Sequence, residues 1–88
     1  MLESTIERRV CAWLKKEHGL MSSKLVTPGQ TGYPDRIIWI PGGKPMLVEF
    51  KRPGEKPTKK QQYIISELQK LGYDVYISTG IDDVWRVE

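Results

Sequence analysis

The feature that most restricts this fold is the turn signal Pro41-Gly42-Gly43-Lys44, set between two strand-like runs. Asp35-Arg-Ile-Ile-Trp-Ile40 and Met46-Leu-Val-Glu-Phe-Lys51 are rich in β-branched, aliphatic and aromatic residues, and both read as strands. A Pro-Gly-Gly stop between them closes a short antiparallel hairpin. A three-residue loop at 41–43 pairs Ile40 with Lys44 and sets Asp35 opposite Glu49. A loop displaced by one residue sets Asp35 opposite Lys51 instead. Opposed residues share a face of the sheet, and so do alternate residues of one strand. In either register Asp35, Glu49 and Lys51 point to one side. The register between the two, with Asp35 opposite Phe50, separates them, so the turn decides the chemistry.

Two carboxylates that converge on one point suit a hard divalent cation, which prefers oxygen ligands. A lysine beside them can orient or help deprotonate a metal-activated water, or steady a phosphate. The set fits metal-assisted hydrolysis of a phosphodiester. Leu47 shares the face of Glu49 and Lys51. That predicts partial burial, where unpaired charges are costly, and favours a functional site over a solvated strand face.

Around this hairpin, Leu2, Ile6, Val10, Trp13 and Leu14 recur at helical spacing and predict an amphipathic helix from about Glu3 to Glu17, stopped by His18-Gly19. Ser22 to Thr27 reads as a strand, and residues 28–34, with two Pro and two Gly, as a loop. Arg52 to Pro57 is a broken basic connector. A second helix is expected from Thr58 to about Leu71, with Tyr63, Ile64, Leu68 and Leu71 facing the core and Gly72 at its end. Asp74 to Ser78 reads as a strand, and Gly80 to Glu88 as either a short helix or a strand. The class is α/β, in the order α-β-β-β-α-β.

Pro34-Asp35 followed by Glu49-x-Lys51 resembles the signature of the PD-(D/E)xK nuclease superfamily, which shares that element order in a mixed sheet. The form Gly32-x-Pro34-Asp35, with Gln61 near the start of the next helix, resembles the virus-type replication-repair nuclease family, VRR-NUC. The likeness runs from Glu3 to Glu7 through Lys24, Pro28-Gly29, Arg36, Pro41 to Gly43 and Val48 to Lys51, and on to Gly72-Tyr-Asp-Val75. It implies one nuclease domain over residues 1–88, like the standalone phage members. It implies that Asp35, Glu49 and the Phe50 carbonyl hold Mg²⁺ or Mn²⁺, with Glu7 contributing directly or through water and Glu3 as its substitute. Lys51 positions or activates the attacking water, and Gln61 supports it. It further implies 5′-phosphate and 3′-hydroxyl products, and a homodimer acting on branched DNA such as the four-way (Holliday) junction. The rival readings are a nicking or restriction-type nuclease of the same superfamily and a non-catalytic basic DNA-binding module.

Two structural readings compete for these residues. Glu3 and Glu7 also suit the positive end of a helix dipole. Thr58-x-x-Gln61 also spells a capping box, and one amide is expected to serve both roles only in part.

A net charge of +3 permits nucleic-acid binding. Arg52, Lys56, Lys59 and Lys60 flank the site and are expected to contact phosphates. Lys15, Lys16, Lys24 and Arg36 read as solvated surface. One cysteine, Cys11, excludes an internal disulfide and fits a reducing compartment. With a single histidine, His18, it cannot build a zinc site. No apolar run reaches membrane-spanning length, and charges at Glu3, Glu7, Arg8 and Arg9 interrupt any signal peptide, so an intracellular protein is expected. Trp39, Ile40, Met46 and Trp85 are the apolar residues left for a dimer interface.

Overall fold

Met46–Phe50 is buried at every position, as a strand covered on both faces must be. It is the third strand, β3, of a four-stranded sheet. The computed structural model describes residues 1–83. Before β3 come the helix α1 (Glu3–His18) and strands β1 (Ser22–Lys24) and β2 (Arg36–Ile38); after it come α2 (Lys59–Lys70), β4 (Asp74–Ser78) and a 3₁₀ turn, Ile81–Asp83. The strands lie in the order β1-β2-β3-β4. The first two pairs are antiparallel and β3 pairs with β4 in parallel, so the sheet is mixed, as expected. The parallel pair needs a crossover, and α2 supplies it.

Side-chain alternation along β3 divides the core in two. Met46, Val48 and Phe50 pack with Ile6, Val10 and Leu14 of α1. Leu47 turns the other way and packs with Ile65 of α2 and Val75 of β4. The sheet therefore separates the helices, and residues 46, 48 and 50 belong to one layer while 47, 49 and 51 belong to the other.

The hairpin register is the one that pairs Ile40 with Lys44. Arg36 lies opposite Val48, Ile37 opposite Leu47 and Ile38 opposite Met46. The ladder stops there and does not reach residues 40 and 44. Pro45 has no N–H to give, which explains the early stop. β1 is likewise shorter than expected, three residues instead of six, although Leu25 N–H still bonds to the Asp35 carbonyl at 3.0 Å.

Two expectations need correction. On α2 the buried stripe is Ile64 and Ile65 with Leu68 beside them, whereas Tyr63 is 59% exposed and Leu71, the C-cap, is 74% exposed. The helix is turned by about one residue, so Gln61, 64, 65 and 68 fall on one face at helical spacing. Met46 lies in the core and offers no surface to a partner. Of the tail, Ile81–Asp83 forms a short 3₁₀ turn, and residues 84–88, with Trp85, lie outside the described residues. Among the described residues no helix is long and apolar enough to cross a membrane.

Gly32 locks the loop before β2 onto α2. Its φ is +90°, and an added Cβ would meet Lys60 Cγ at 2.7 Å, the Lys60 carbonyl at 3.0 Å and Ile64 Cγ1 at 3.2 Å. Gly29, with φ +76°, faces open space. Gly32→Ala should therefore cost about 1–3 kcal/mol of stability, and more than Gly29→Ala, which carries only the backbone strain. Urea unfolding of the two variants checks this. Equal losses would show that the loop does not press on the helix.

Candidate active site

Asp35 sits one step before β2, beyond the pair of Arg36 with Val48, which brings it alongside Glu49. Its Oδ2 accepts the Phe50 N–H at 2.8 Å, while its own N–H bonds to the Val48 carbonyl at 2.9 Å. The side chain thus takes over a ladder bond and is fixed at the strand end. Glu49 and Lys51 follow in β3 and just after it, on the α2 side. They are 3% and 5% exposed, and Lys51 Nζ lies 3.6 Å from Glu49 Oε2. The three residues singled out by the hairpin are brought together.

Gln61 completes the cluster from α2. Its Nε2 donates to Glu49 Oε2 at 2.6 Å. Its Oε1 accepts the Thr58 N–H at 2.8 Å, and its own N–H bonds to Thr58 Oγ1 at 3.1 Å. The expectation that one amide could serve cap and site only in part is therefore corrected. The amide has two ends, and each role uses a different one.

Burial sets the electrostatics. It is the largest influence on Glu49, followed by the charge of Asp35, and together they push its carboxyl up to about 8. Lys51 pulls the other way without overcoming them. Burial also raises the Asp35 carboxyl, against the lowering effect of the Phe50 N–H. Two acids held this close resist being charged together.

Glu49 Oε1 is buried and has no hydrogen-bond partner. Such an oxygen is costly unless something binds it, and a cation is what a carboxylate oxygen accepts. Among the described residues no three His, Cys, Asp or Glu side chains gather closely enough to hold a metal ion by themselves. A cation here would rest on Asp35, Glu49, a main-chain carbonyl such as that of Phe50, and water. Mg²⁺ is commonly bound by one or two carboxylates and keeps several waters, so the donor set fits.

Glu7 occupies a different position from these acids. Strand alternation sends Arg36 to the α1 side, and there Arg36 Nε donates to Glu7 Oε2 at 2.6 Å. Lys24 Nζ approaches the same oxygen at 3.4 Å. Glu7 is buried and acts on Asp35 through its charge, which helps raise the Asp35 carboxyl. Arg36, expected on the solvated surface, is instead partly buried against Glu7, while Lys24 stays exposed, as expected, and reaches the same carboxylate. Glu3 bonds to Glu55 in the connector, and that contact is the largest cause of its raised carboxyl. Its charge also reaches Asp35 and Glu49. Sequence pattern gives no signal for Glu55, a lone acid in a basic loop. Arg52, Lys56, Lys59 and Lys60 are all exposed, on the connector and the first turn of α2.

The family model described as VRR-NUC domain matches residues 3–82. The p44 protein of Acyrthosiphon pisum secondary endosymbiont phage 1, which carries a provisional nuclease name, is 40% identical over 80 residues, 91% of this chain and 85% of that one. Fanconi-associated nuclease 1 of Danio rerio is 43% identical over 47 residues, which is 52% of this chain but only 5% of that far longer protein. Two solved structures described as VRR-NUC domain proteins superpose with TM-scores of 0.80 and 0.78, at 23% and 25% identity. They cover 91% and 96% of this chain, and it covers 86% and 82% of them.

The raised Glu49 carboxyl predicts a pH dependence of the metal-free chain. A carboxyl raised by folding adds stability below its ordinary value of 4.5 and loses it as pH climbs through about 8. In chelator, the unfolding free energy should fall across that window, and Glu49→Gln should flatten the fall. Denaturant titrations at a series of pH values measure it. A profile unchanged by Glu49→Gln would show that the Glu49 carboxyl is not raised in the fold.

Proposed function

This chain belongs to the VRR-NUC domain family, a family of nucleases, and we propose that it is a divalent-metal-dependent endonuclease acting on branched DNA. The observation that carries the chemistry is the buried Glu49, with one oxygen unpartnered, beside Asp35 and Lys51. Asp35, Glu49 and the Phe50 carbonyl would hold Mg²⁺ or Mn²⁺. When bound, such a cation lowers the pKa of a coordinated water and offsets charge on the phosphate.

The chain's own groups do the rest. Lys51 is buried, with its Nζ 3.6 Å from Glu49 Oε2. It orients the water that attacks phosphorus as the bond to the 3′ oxygen breaks, leaving a 3′-hydroxyl and a 5′-phosphate. Gln61 holds Glu49 in place. Glu7, occupied by Arg36 and Lys24, would act on a cation only through water. Arg52, Lys56, Lys59 and Lys60 would bind the DNA backbone, helped by the positive end of α2. Cutting both strands of a four-way junction takes two sites related by symmetry, which a homodimer supplies. Trp39, exposed and held by its indole N–H to Ser23 Oγ at 3.0 Å, is the candidate anchor of that interface.

Asp35→Ala or Glu49→Ala should abolish both Mn²⁺ binding and cleavage. Lys51→Ala should abolish cleavage and spare most of the metal and DNA binding. Labelled duplex, flap, fork and four-way-junction substrates, with and without Mn²⁺, provide the assay. Wild-type cleavage by the Lys51 variant would remove Lys51 from the mechanism, and binding without any metal-dependent cleavage would favour a non-catalytic DNA-binding module.

Binding should weaken steeply with salt, because basic side chains displace counterions. Changing Lys56, Lys59 and Lys60 together to Glu should weaken binding to every substrate without unfolding the chain. Fluorescence anisotropy against salt reads this, and unchanged affinity would move the DNA track elsewhere. Light scattering with junction present tests the dimer. A monomeric mass together with efficient paired nicking would sink it.

A further inference from the structure

Helix α2 opens with a capping box whose glutamine is also an arm of the acid cluster. Gln61 bonds through Oε1 to the Thr58 N–H and through Nε2 to Glu49 Oε2. A carboxamide has one accepting end and one donating end. Turned over, it would set its NH₂ against the Thr58 N–H and its oxygen against the Glu49 carboxylate. Two hydrogen bonds would become two repulsions.

Glu49 alone cannot fix this choice. As a carboxylate it accepts from the amide nitrogen, but as an acid it can equally donate to the amide oxygen. The Thr58 N–H is a donor in every protonation state and leaves the amide one orientation. With Glu49 Oε2 tied in this way, Oε1 is the oxygen left for a ligand.

We infer that Thr58, through its main-chain N–H, is a positioning residue for the site: it sets the Gln61 amide, and Gln61 in turn holds Glu49 with Oε1 available. This rests on the reading of Asp35 and Glu49 as a cation site.

Thr58 has φ −68° and ψ 166°, which proline adopts without strain. Thr58→Pro keeps the carbonyl that accepts the Gln62 N–H at 2.9 Å. It removes both the N–H and the hydroxyl. Thr58→Val removes only the hydroxyl, and Thr58→Ser removes neither. If Thr58 served only as a helix cap, Val and Pro would bind Mn²⁺ alike, however far apart they melted.

The test combines three readouts: melting temperature, the dissociation constant for Mn²⁺ by titration calorimetry, and the Gln61 side-chain amide signals by NMR in the metal-free chain. Thr58→Ser should match the wild type within about twofold. Thr58→Val should melt lower, yet keep the wild-type chemical shifts of the Gln61 side-chain amide and an Mn²⁺ affinity within about threefold of wild type. Thr58→Pro should move those shifts towards the values of a solvated glutamine and weaken Mn²⁺ binding by about tenfold, the scale of a lost partner to a metal ligand. In a Gln61→Ala background the Thr58→Pro change should add less than about twofold, because neighbours acting in series are not additive.

Equal Mn²⁺ affinities for Val and Pro, or the same loss from Thr58→Pro in both backgrounds, would overturn the inference. A wild type that binds no Mn²⁺, but whose Gln61 amide signals still depend on the Thr58 N–H, would overturn the cation reading while leaving the role of Thr58 intact.

Discussion

The structure depends on burying one strand on both sides while that strand carries an acid and ends in a lysine. β3 supplies the core of both layers, through Val48 and Phe50 towards α1 and Leu47 towards α2. The strand cannot leave the interior without dissolving both clusters. Glu49 and the adjoining Lys51 are carried inside with it. Isolated, each charge would be strongly disfavoured there. They persist because they face each other, and because Asp35, Gln61 and a free oxygen complete an arrangement that a cation would balance. The hydrophobic packing of the strand thus offsets the cost of the site.

Much of this was legible in the sequence because strand chemistry has a period of two. A proline-glycine turn fixed the register within a pair of options, and both options gathered Asp35, Glu49 and Lys51. The same rule, carried further, would have removed Arg36 from the surface. It follows Asp35 and must point the opposite way, towards α1, where Glu7 waits. Gln61 was also readable twice, once as the closing residue of the capping box Thr58-x-x-Gln61 and once as the first of the stripe at 61, 64, 65 and 68. Choosing Tyr63 and Leu71 as core residues followed hydrophobicity where the phase of the helix should have decided. Tyr63 keeps its polar tip in water at little cost.

The remainder was hidden for physical reasons. The contact of Glu3 with Glu55 joins the first turn of a helix to a loop about fifty residues away. No local pattern specifies such a meeting, because it depends on how the connector runs over the sheet. The early end of the hairpin is different. Pro45 was visible, and the rule that proline cannot donate to a ladder was enough to end the pairing at Ile38 and Met46.

Glu7 shows why proximity and ligation differ. It is close enough to raise the Asp35 carboxyl, yet its Oε2 is held by Arg36 and Lys24. A carboxylate with two cationic partners gives a further cation less than a bare one does. Glu7 therefore reaches Asp35 through its charge, with Lys24 opposing it, while its own Oε2 stays with Arg36 and Lys24.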